Sequence, residues 1–324
     1  MSGIYWNQPD KSSENLLCYT LKMPKIAVLD YRIPSEVQTE INGLASNKIE
    51  FPGERCPENE VAIKIGEADI ALITPWEGID SEILDACPNL KYIGLCGTST
   101  ANIDLEEVSR RNIVFTNMKS YKPDEDAKTA GGKQAVAEFF FMQLVQLARG
   151  SDKYQWKRGK ELQLKNRTIG IIGLGEVGQG IARMAMAYNM NIFYYGPNRK
   201  PAWNGKGVIY KEKDDLLKSS DIIVLSSPTN VQVLCESEFN NMKSGSILVQ
   251  ACSGSPFDKP AFYSWIEKNG NYAIFDMSAS EKNYELYKSL PGVIFSRQVA
   301  GDTYESNQVR SNGALKLLHD YLTK

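Results

Sequence analysis

Short runs of aliphatic and β-branched residues alternate with stretches of helical spacing along almost the whole chain, which is how repeated βαβ units and parallel sheets are written in sequence. Lys25–Asp30, Ala68–Thr74, Tyr92–Gly97 and Ile113–Asn117 predict strands in the first part. Thr168–Gly173, Asn191–Tyr195, Asp221–Ser226, Ser246–Gln250, Tyr272–Asp276 and Val293–Ser296 predict six more in the second. Helical spacing lies between them at Ser35–Leu44, Leu105–Arg111, Val177–Tyr188 and Pro260–Lys268. Lys119–Lys133 is polar, breaker-rich and without periodicity, and predicts a boundary. The helix predicted next, Gln134–Arg149, carries Phe139, Phe140, Phe141, Leu144 and Leu147 over more than one stripe. Such a helix is buried between domains or packed against a second subunit. Glu305–Leu322 predicts an amphipathic closing helix, and residues 1–23 read as a weakly structured extension. The expected class is α/β, with two doubly wound domains.

A length of 324 residues exceeds one hydrophobic core and agrees with two domains. Thirty-seven basic residues against 39 acidic ones leave a net charge of -2, with no long run of either sign. That balance argues against nucleic acid or a membrane surface as partner and leaves a small molecule. The longest apolar stretch, near Phe139 to Leu147, is interrupted by Gln143 and Gln146 and is too short to span a bilayer. Met1–Lys22 lacks the order of a signal peptide, so a cytoplasmic protein is expected. Six scattered cysteines and one histidine, His319, offer no metal-ligand spacing, and no metal is expected. The cysteines read as small buried hydrophobes, with Cys252 set apart by its segment, and His319 as part of the closing helix.

The segment with chemistry is Gly173-Leu174-Gly175-Glu176-Val177-Gly178. A GxGxxG triplet alone is weak evidence, but this one follows a predicted strand and opens a predicted helix. Gly173 allows the tight turn, Gly175 lets the backbone approach a pyrophosphate, and Gly178 lets the helix pack on the strand. The pyrophosphate would sit at the positive end of the helix dipole. About 20 residues on, an NAD site carries an acid for the ribose 2′-hydroxyl. Here Gly196-Pro197-Asn198-Arg199-Lys200 stands instead. The missing acid and the two cations favour NADP (NADPH) over NAD, the alternative being that Arg199 and Lys200 are ordinary solvated loop charges.

From about Ala68 to Ser306 the chain resembles the D-isomer-specific 2-hydroxyacid dehydrogenases. The marks are Leu90-Lys91-Tyr92-Ile93-Gly94 leading to Asn102-Ile103-Asp104, then Ile113–Asn117, Ala135-Val136-Ala137-Glu138, the fingerprint turn, Ser220–Leu225 and Ala273-Ile274-Phe275-Asp276. The resemblance implies a dinucleotide domain, residues 121–298, inserted into a flavodoxin-like substrate domain formed by 24–120 and 299–324. It implies a cleft between them, a two-fold homodimer, and further cofactor contacts from Ser227, Pro228, Ala251, Cys252, Asp276 and Gly301. It places the substrate carboxylate against Thr98 and Ser99, with Ser99 where the family usually has Gly.

The family's catalytic set is an Arg that clamps the substrate, a His that acts as acid/base and a Glu paired with the His. Glu281 matches the Glu, whereas Ser253 stands at the Arg position and Gln298 at the His position. Gln cannot shuttle a proton, and Ser lacks the charged fork that grips a carboxylate. Losing the acid/base alone forfeits roughly 10²–10⁴-fold in rate. Three readings follow. One is an NAD(P)-dependent oxidoreductase of altered substrate or mechanism that reduces a carbonyl, imine or activated alkene. Another is a catalytically silent dinucleotide-binding sensor or partner subunit, and the third is a conventional 2-hydroxyacid dehydrogenase whose catalytic positions are displaced from this alignment.

Overall fold

The computed structural model of the chain describes residues 23–122, 132–150, 162–229, 231–268, 270–280 and 284–324. Most of the expected N-terminal extension and of the expected boundary lies outside them. Every strand expected from the sequence is present: β1 Ile26–Val28, β2 Ile70–Ile73, β3 Tyr92–Leu95, β4 Val114–Asn117, β5 Thr168–Ile172, β6 Asn191–Tyr195, β8 Ile222–Leu225, β9 Ile247–Gln250, β10 Tyr272–Phe275 and β11 Val293–Phe295. One strand was not expected, β7 Val208–Tyr210.

β1 to β4 form a parallel sheet in chain order. The period of two along each strand sends alternate side chains to two cores. Ile26, Val28, Ile70, Leu72 and Tyr92 meet the helix Ser35–Leu44 and the closing helix Tyr304–Leu322. Ala27, Leu29, Ala71, Ile73, Ile93 and Leu95 meet the helices Val61–Ile65, Ser81–Ala86 and Leu105–Arg110. The flavodoxin-like edge position beside β1 is filled by a side chain rather than by a paired strand. The Asn47 carboxamide accepts the Ile26 N–H at 2.8 Å and donates to the Ile26 carbonyl at 3.1 Å. It satisfies the edge groups that a neighbouring strand would otherwise pair.

The larger sheet has seven parallel strands in the order β11-β10-β9-β8-β5-β6-β7. The chain therefore enters at β5, runs outward through β6 and β7, then returns to β8 on the other side of β5. That reversal opens a crevice at the carboxyl ends of β5 and β8. The closing helix then returns to the first sheet, where Ala314, Leu315 and Leu318 are buried and Tyr321 lies 4.6 Å from Tyr92 between ring centroids. The larger sheet is thus inserted in the chain between two parts of the smaller layer.

The long helix, Gly132–Arg149, packs on the fingerprint helix Glu176–Ala187, and Phe140, Phe141, Leu144 and Leu147 are buried in this chain's own core. Its apolar breadth is thereby largely absorbed within the chain, and Met142 is its exposed apolar residue.

Candidate functional site at the carboxyl edge of the larger sheet

Because all seven strands are parallel, the segments that leave them line one edge in strand order. Gln298 follows β11, Asp276 β10, Ser253 β9, Ser227 and Pro228 β8, Gly173–Gly178 β5, and Asn198–Lys200 β6. The fold brings the expected positions to one side, apart from Glu281, which lies outside the described residues.

The glycine turn is built for close approach. Gly173 has φ +101, and a Cβ there would lie 2.6 Å from the Ser226 carbonyl oxygen. At Gly178 a Cβ would lie 2.2 Å from the Gly173 carbonyl oxygen, so this glycine sets the packing of the helix on its strand. Gly175 differs: it caps the helix with no side-chain bond, and nothing lies within 4 Å of where its Cβ would be. Amide donors at a helix start beside open space are what a pyrophosphate requires, and these residues fit a dinucleotide. Leu174 is buried, whereas Glu176 and Val177 begin the helix.

After β6, Asn198 and Arg199 are exposed, and the Lys200 N–H donates to the Tyr194 hydroxyl at 2.7 Å. The Arg199 guanidinium lies over the Tyr210 ring at 4.2 Å and 3.4 Å from the Glu212 carboxylate, its side chain 70% exposed. It is available at this edge but shared with an acid.

Beyond β9 the chain turns tightly, with Gly254 at φ +88. Gln250, at the end of β9 and 1% exposed, holds that turn by donating its side-chain N–H groups to the carbonyls of Cys252 at 3.0 Å and Gly254 at 2.9 Å. Ser253 is carried between those two carbonyls. The Cys252 thiol lies 3.8 Å from the Ser227 hydroxyl, and burial pushes its pKa up to about 11 against the pull of that contact. Ala251 is buried directly behind.

Asp276, 2% exposed, ends β10 and accepts hydrogen bonds from the Ser278 hydroxyl and, at 2.7 Å, from the Ala300 N–H. The Met277 N–H donates to the Gln298 carbonyl at 3.0 Å, and the Gln298 N–H to the Ser296 hydroxyl at 3.1 Å. The backbone of the turn is thus fixed while the Gln298 side chain is exposed. Ser253 and Gln298 follow β9 and β11, strands separated by β10 and so about 10 Å apart within the sheet. The Gly301 carbonyl accepts the Ser306 hydroxyl at 2.6 Å where the chain crosses back to the closing helix.

The smaller sheet contributes its own carboxyl edge. Thr98 is exposed and Ser99 half-buried after β3, on a turn seated against Pro75: a Cβ at Gly97 would fall 2.3 Å from the Pro75 ring. Sequence reasoning missed a partly buried charge network beside this turn, with Arg32 and Asp30 at its buried end. Arg32 grips Asp30 through Nε and Nη2 at 2.8 and 3.1 Å, and reaches Asp302 at 3.3 Å. Arg310 also reaches Asp302, at 2.5 Å. Asp302 lies just past the turn that holds Gln298, so these pairs tie the two carboxyl edges together. Gln250, Asp30 and Asp302 left no periodic signal, because single polar residues at strand ends look like ordinary loop entry points.

His319 is exposed on the last turn of the closing helix. Among the described residues no group of three or more His, Cys, Asp or Glu is placed to hold a metal. Among them, too, no helix is long and apolar enough to cross a membrane.

Two parallel sheets in one chain, with a glycine turn at the reversal of the larger one, define a dinucleotide-binding α/β protein of dehydrogenase type. Residues 139–297 match the family described as D-isomer specific 2-hydroxyacid dehydrogenase, NAD binding domain. A glyoxylate reductase of Thermococcus kodakarensis is 30% identical over 297 residues, covering 82% of this chain and 86% of that protein. Among solved structures, a D-isomer-specific 2-hydroxyacid dehydrogenase from Polaromonas sp. JS6 66 superposes with a TM-score of 0.77 at 20% identity, covering 93% and 97% of the two chains. An acyclic imino acid reductase solved with NADPH and D-Arg superposes with a TM-score of 0.72 at 25% identity, covering 92% and 97%. The chain belongs to the D-isomer-specific 2-hydroxyacid dehydrogenase family.

Proposed function

We propose that this protein is an NADPH-preferring reductase that has left the usual 2-oxo acid chemistry of its family, acting on a carbonyl, imine or activated alkene without a histidine acid/base. In this reading residues 121–298 bind the cofactor, residues 24–120 with 299–324 bind a small-molecule substrate, and two chains form a homodimer. What supports it is an open glycine turn on the same sheet edge as Ser253 and Gln298, two neutral side chains at the positions where the resemblance puts Arg and His. Hydride delivered to a ketone leaves an alkoxide that must be protonated. A protonated imine needs no such donor, because hydride addition to its carbon converts the iminium directly into a neutral amine. Among the three substrate types the site therefore suits an imine best, and the imino acid reductase of similar fold lends support.

The test is a panel of 2-oxo acids, with and without ammonia or alkylamines, and of activated alkenes. Each is run with NADPH and NADH on the native protein and on Ser253→Arg with Gln298→His. The expected result is little native turnover of pyruvate, glyoxylate or hydroxypyruvate, turnover with imine-forming mixtures, and a gain of 2-oxo acid reduction in the double variant. Robust native reduction of a simple 2-oxo acid would overturn the reading. Tight cofactor binding with no turnover of any substrate would favour the silent sensor instead.

A further inference from the structure

Lys133, the second residue of the long helix, pairs its ammonium with the carboxylate of Glu176, the first residue of the fingerprint helix. An acid in the first turn suits the helix dipole, but here it stands where an anionic pyrophosphate must approach. Unshielded, it would oppose the very ligand that the helix start attracts. The long helix delivers the compensating charge by close packing. A Cβ at Gly180 would lie only 3.1 Å from the Ala137 Cβ, so the two helices are in close contact. One at Gly132 would lie 3.0 Å from the Gly301 carbonyl oxygen, which fixes the start of the long helix. The ion pair with Glu176 then places Lys133 beside the glycine turn. The Lys133 and Glu176 side chains remain 59% and 67% exposed, and the space over Gly175 is open. The ammonium is therefore at the rim of the cradle and free to swing by a rotamer without disturbing any core.

We propose that Lys133 is a pyrophosphate-binding residue: it neutralises Glu176 in the free protein and bridges Glu176 to a pyrophosphate oxygen when a dinucleotide is bound. The proposal rests on dinucleotide binding at Gly173–Gly178 and is independent of the choice between NADPH and NADH and of the substrate.

The experiment is calorimetric titration of NADPH and NADH into the native protein, Lys133→Met, Glu176→Gln and the double variant, at low and high salt. Both cofactors share the pyrophosphate, so Lys133→Met should weaken both alike, by about 5- to 10-fold at low salt and less at high salt. Glu176→Gln should tighten both by about 2- to 5-fold, and by more in the Lys133→Met background, where the acid stands unshielded. Thermal melting of the free proteins should be unchanged, since both side chains are exposed. Binding within about twofold of native for both cofactors in Lys133→Met would overturn the assignment, because a lost charge contact exceeds that. A loss confined to NADPH would also overturn it and move Lys133 to the 2′-phosphate. A native protein that binds neither cofactor would overturn the dinucleotide reading itself, and this assignment with it.

Discussion

The Asp276 carboxylate accepts the Ala300 N–H at 2.7 Å, joining the end of β10 to the turn that presents Gln298. Both residues are buried, so the bond is a charge-assisted one away from water. Replacing Asp276 by Ala strands the Ala300 amide and frees the Ser278 hydroxyl, at a cost of about 2–4 kcal/mol. Asn retains one acceptor and should cost about 1 kcal/mol. Urea unfolding should show the midpoint falling in that order with the slope unchanged. A loss below about 1 kcal/mol for Asp276→Ala would show that the turn is held elsewhere.

Cofactor choice turns on the end of β6. Arg199 and Lys200 with no acid at position 196 give an expected preference for NADPH of about 10- to 100-fold, measured calorimetrically. Glu212 draws on Arg199, so Glu212→Gln should raise the preference. Nothing lies within 4 Å of a Cβ at Gly196, so Gly196→Asp should be accommodated and should move the preference toward NADH. Equal or tighter NADH binding by the native protein would sink the NADPH assignment.

Thiol chemistry checks the loop after β9. Burial holds the Cys252 pKa up to about 11, so at pH 7.5 almost none of it is the reactive thiolate. Alkylation followed by mass spectrometry should label exposed Cys235 well before Cys252. The Cys252 rate should climb about tenfold per pH unit below its pKa. NADPH should slow it further if Cys252 faces the cofactor. Equal rates for the two thiols at pH 7.5 would contradict the packing of Cys252 against Ser227.

The long helix bears on assembly. Its buried phenylalanines leave Met142 exposed, while Val136, Phe139 and Val145 are half-buried against the chain's own core, a smaller outer patch than its sequence implies. A homodimer remains the expectation from the family, and sedimentation should show about twice the chain mass of 36.2 kDa. A strict monomer at tens of micromolar would remove the dimer from the proposal.

The inner strands β2, β3, β8 and β9 were legible because each is a buried run between breakers, continuous as parallel strands buried on both faces are, whereas edge strand β4 is exposed or half-buried and was legible from its β-branched and aromatic residues. β7 was not, being three residues long at the sheet edge with Ile209 exposed. The glycine turn was legible because backbone sterics dictate its residues. What sequence could not show is which polar residues are buried. Gln250 and Asp30 look like loop entries until the fold closes around them, and the pairing of Lys133 with Glu176 depends on two helices meeting across a boundary segment.

The glycine turn itself separates folding from binding. At Gly178 an added methyl would meet the Gly173 carbonyl oxygen at 2.2 Å, the Ser226 hydroxyl at 3.0 Å and the Ile171 side chain at 3.2 Å, with backbone among the obstacles. Relief requires moving the helix Glu176–Ala187 off β5, so Gly178→Ala should cost about 1–3 kcal/mol as overpacking and weaken dinucleotide binding as a consequence. At Gly175 the same methyl meets nothing within 4 Å, and the residue has φ -75, which any residue adopts. Gly175→Ala should therefore fold with native stability, or gain slightly from a stiffer unfolded chain. The only thing it can obstruct is a ligand laid against the helix start. Denaturant unfolding paired with calorimetry on the two variants should give loss of stability with loss of binding at Gly178, and loss of binding alone at Gly175. Were Gly175→Ala to bind NADPH and NADH as the native protein does, the pyrophosphate would have to lie elsewhere, and the open space over Gly175 would have another explanation than a dinucleotide.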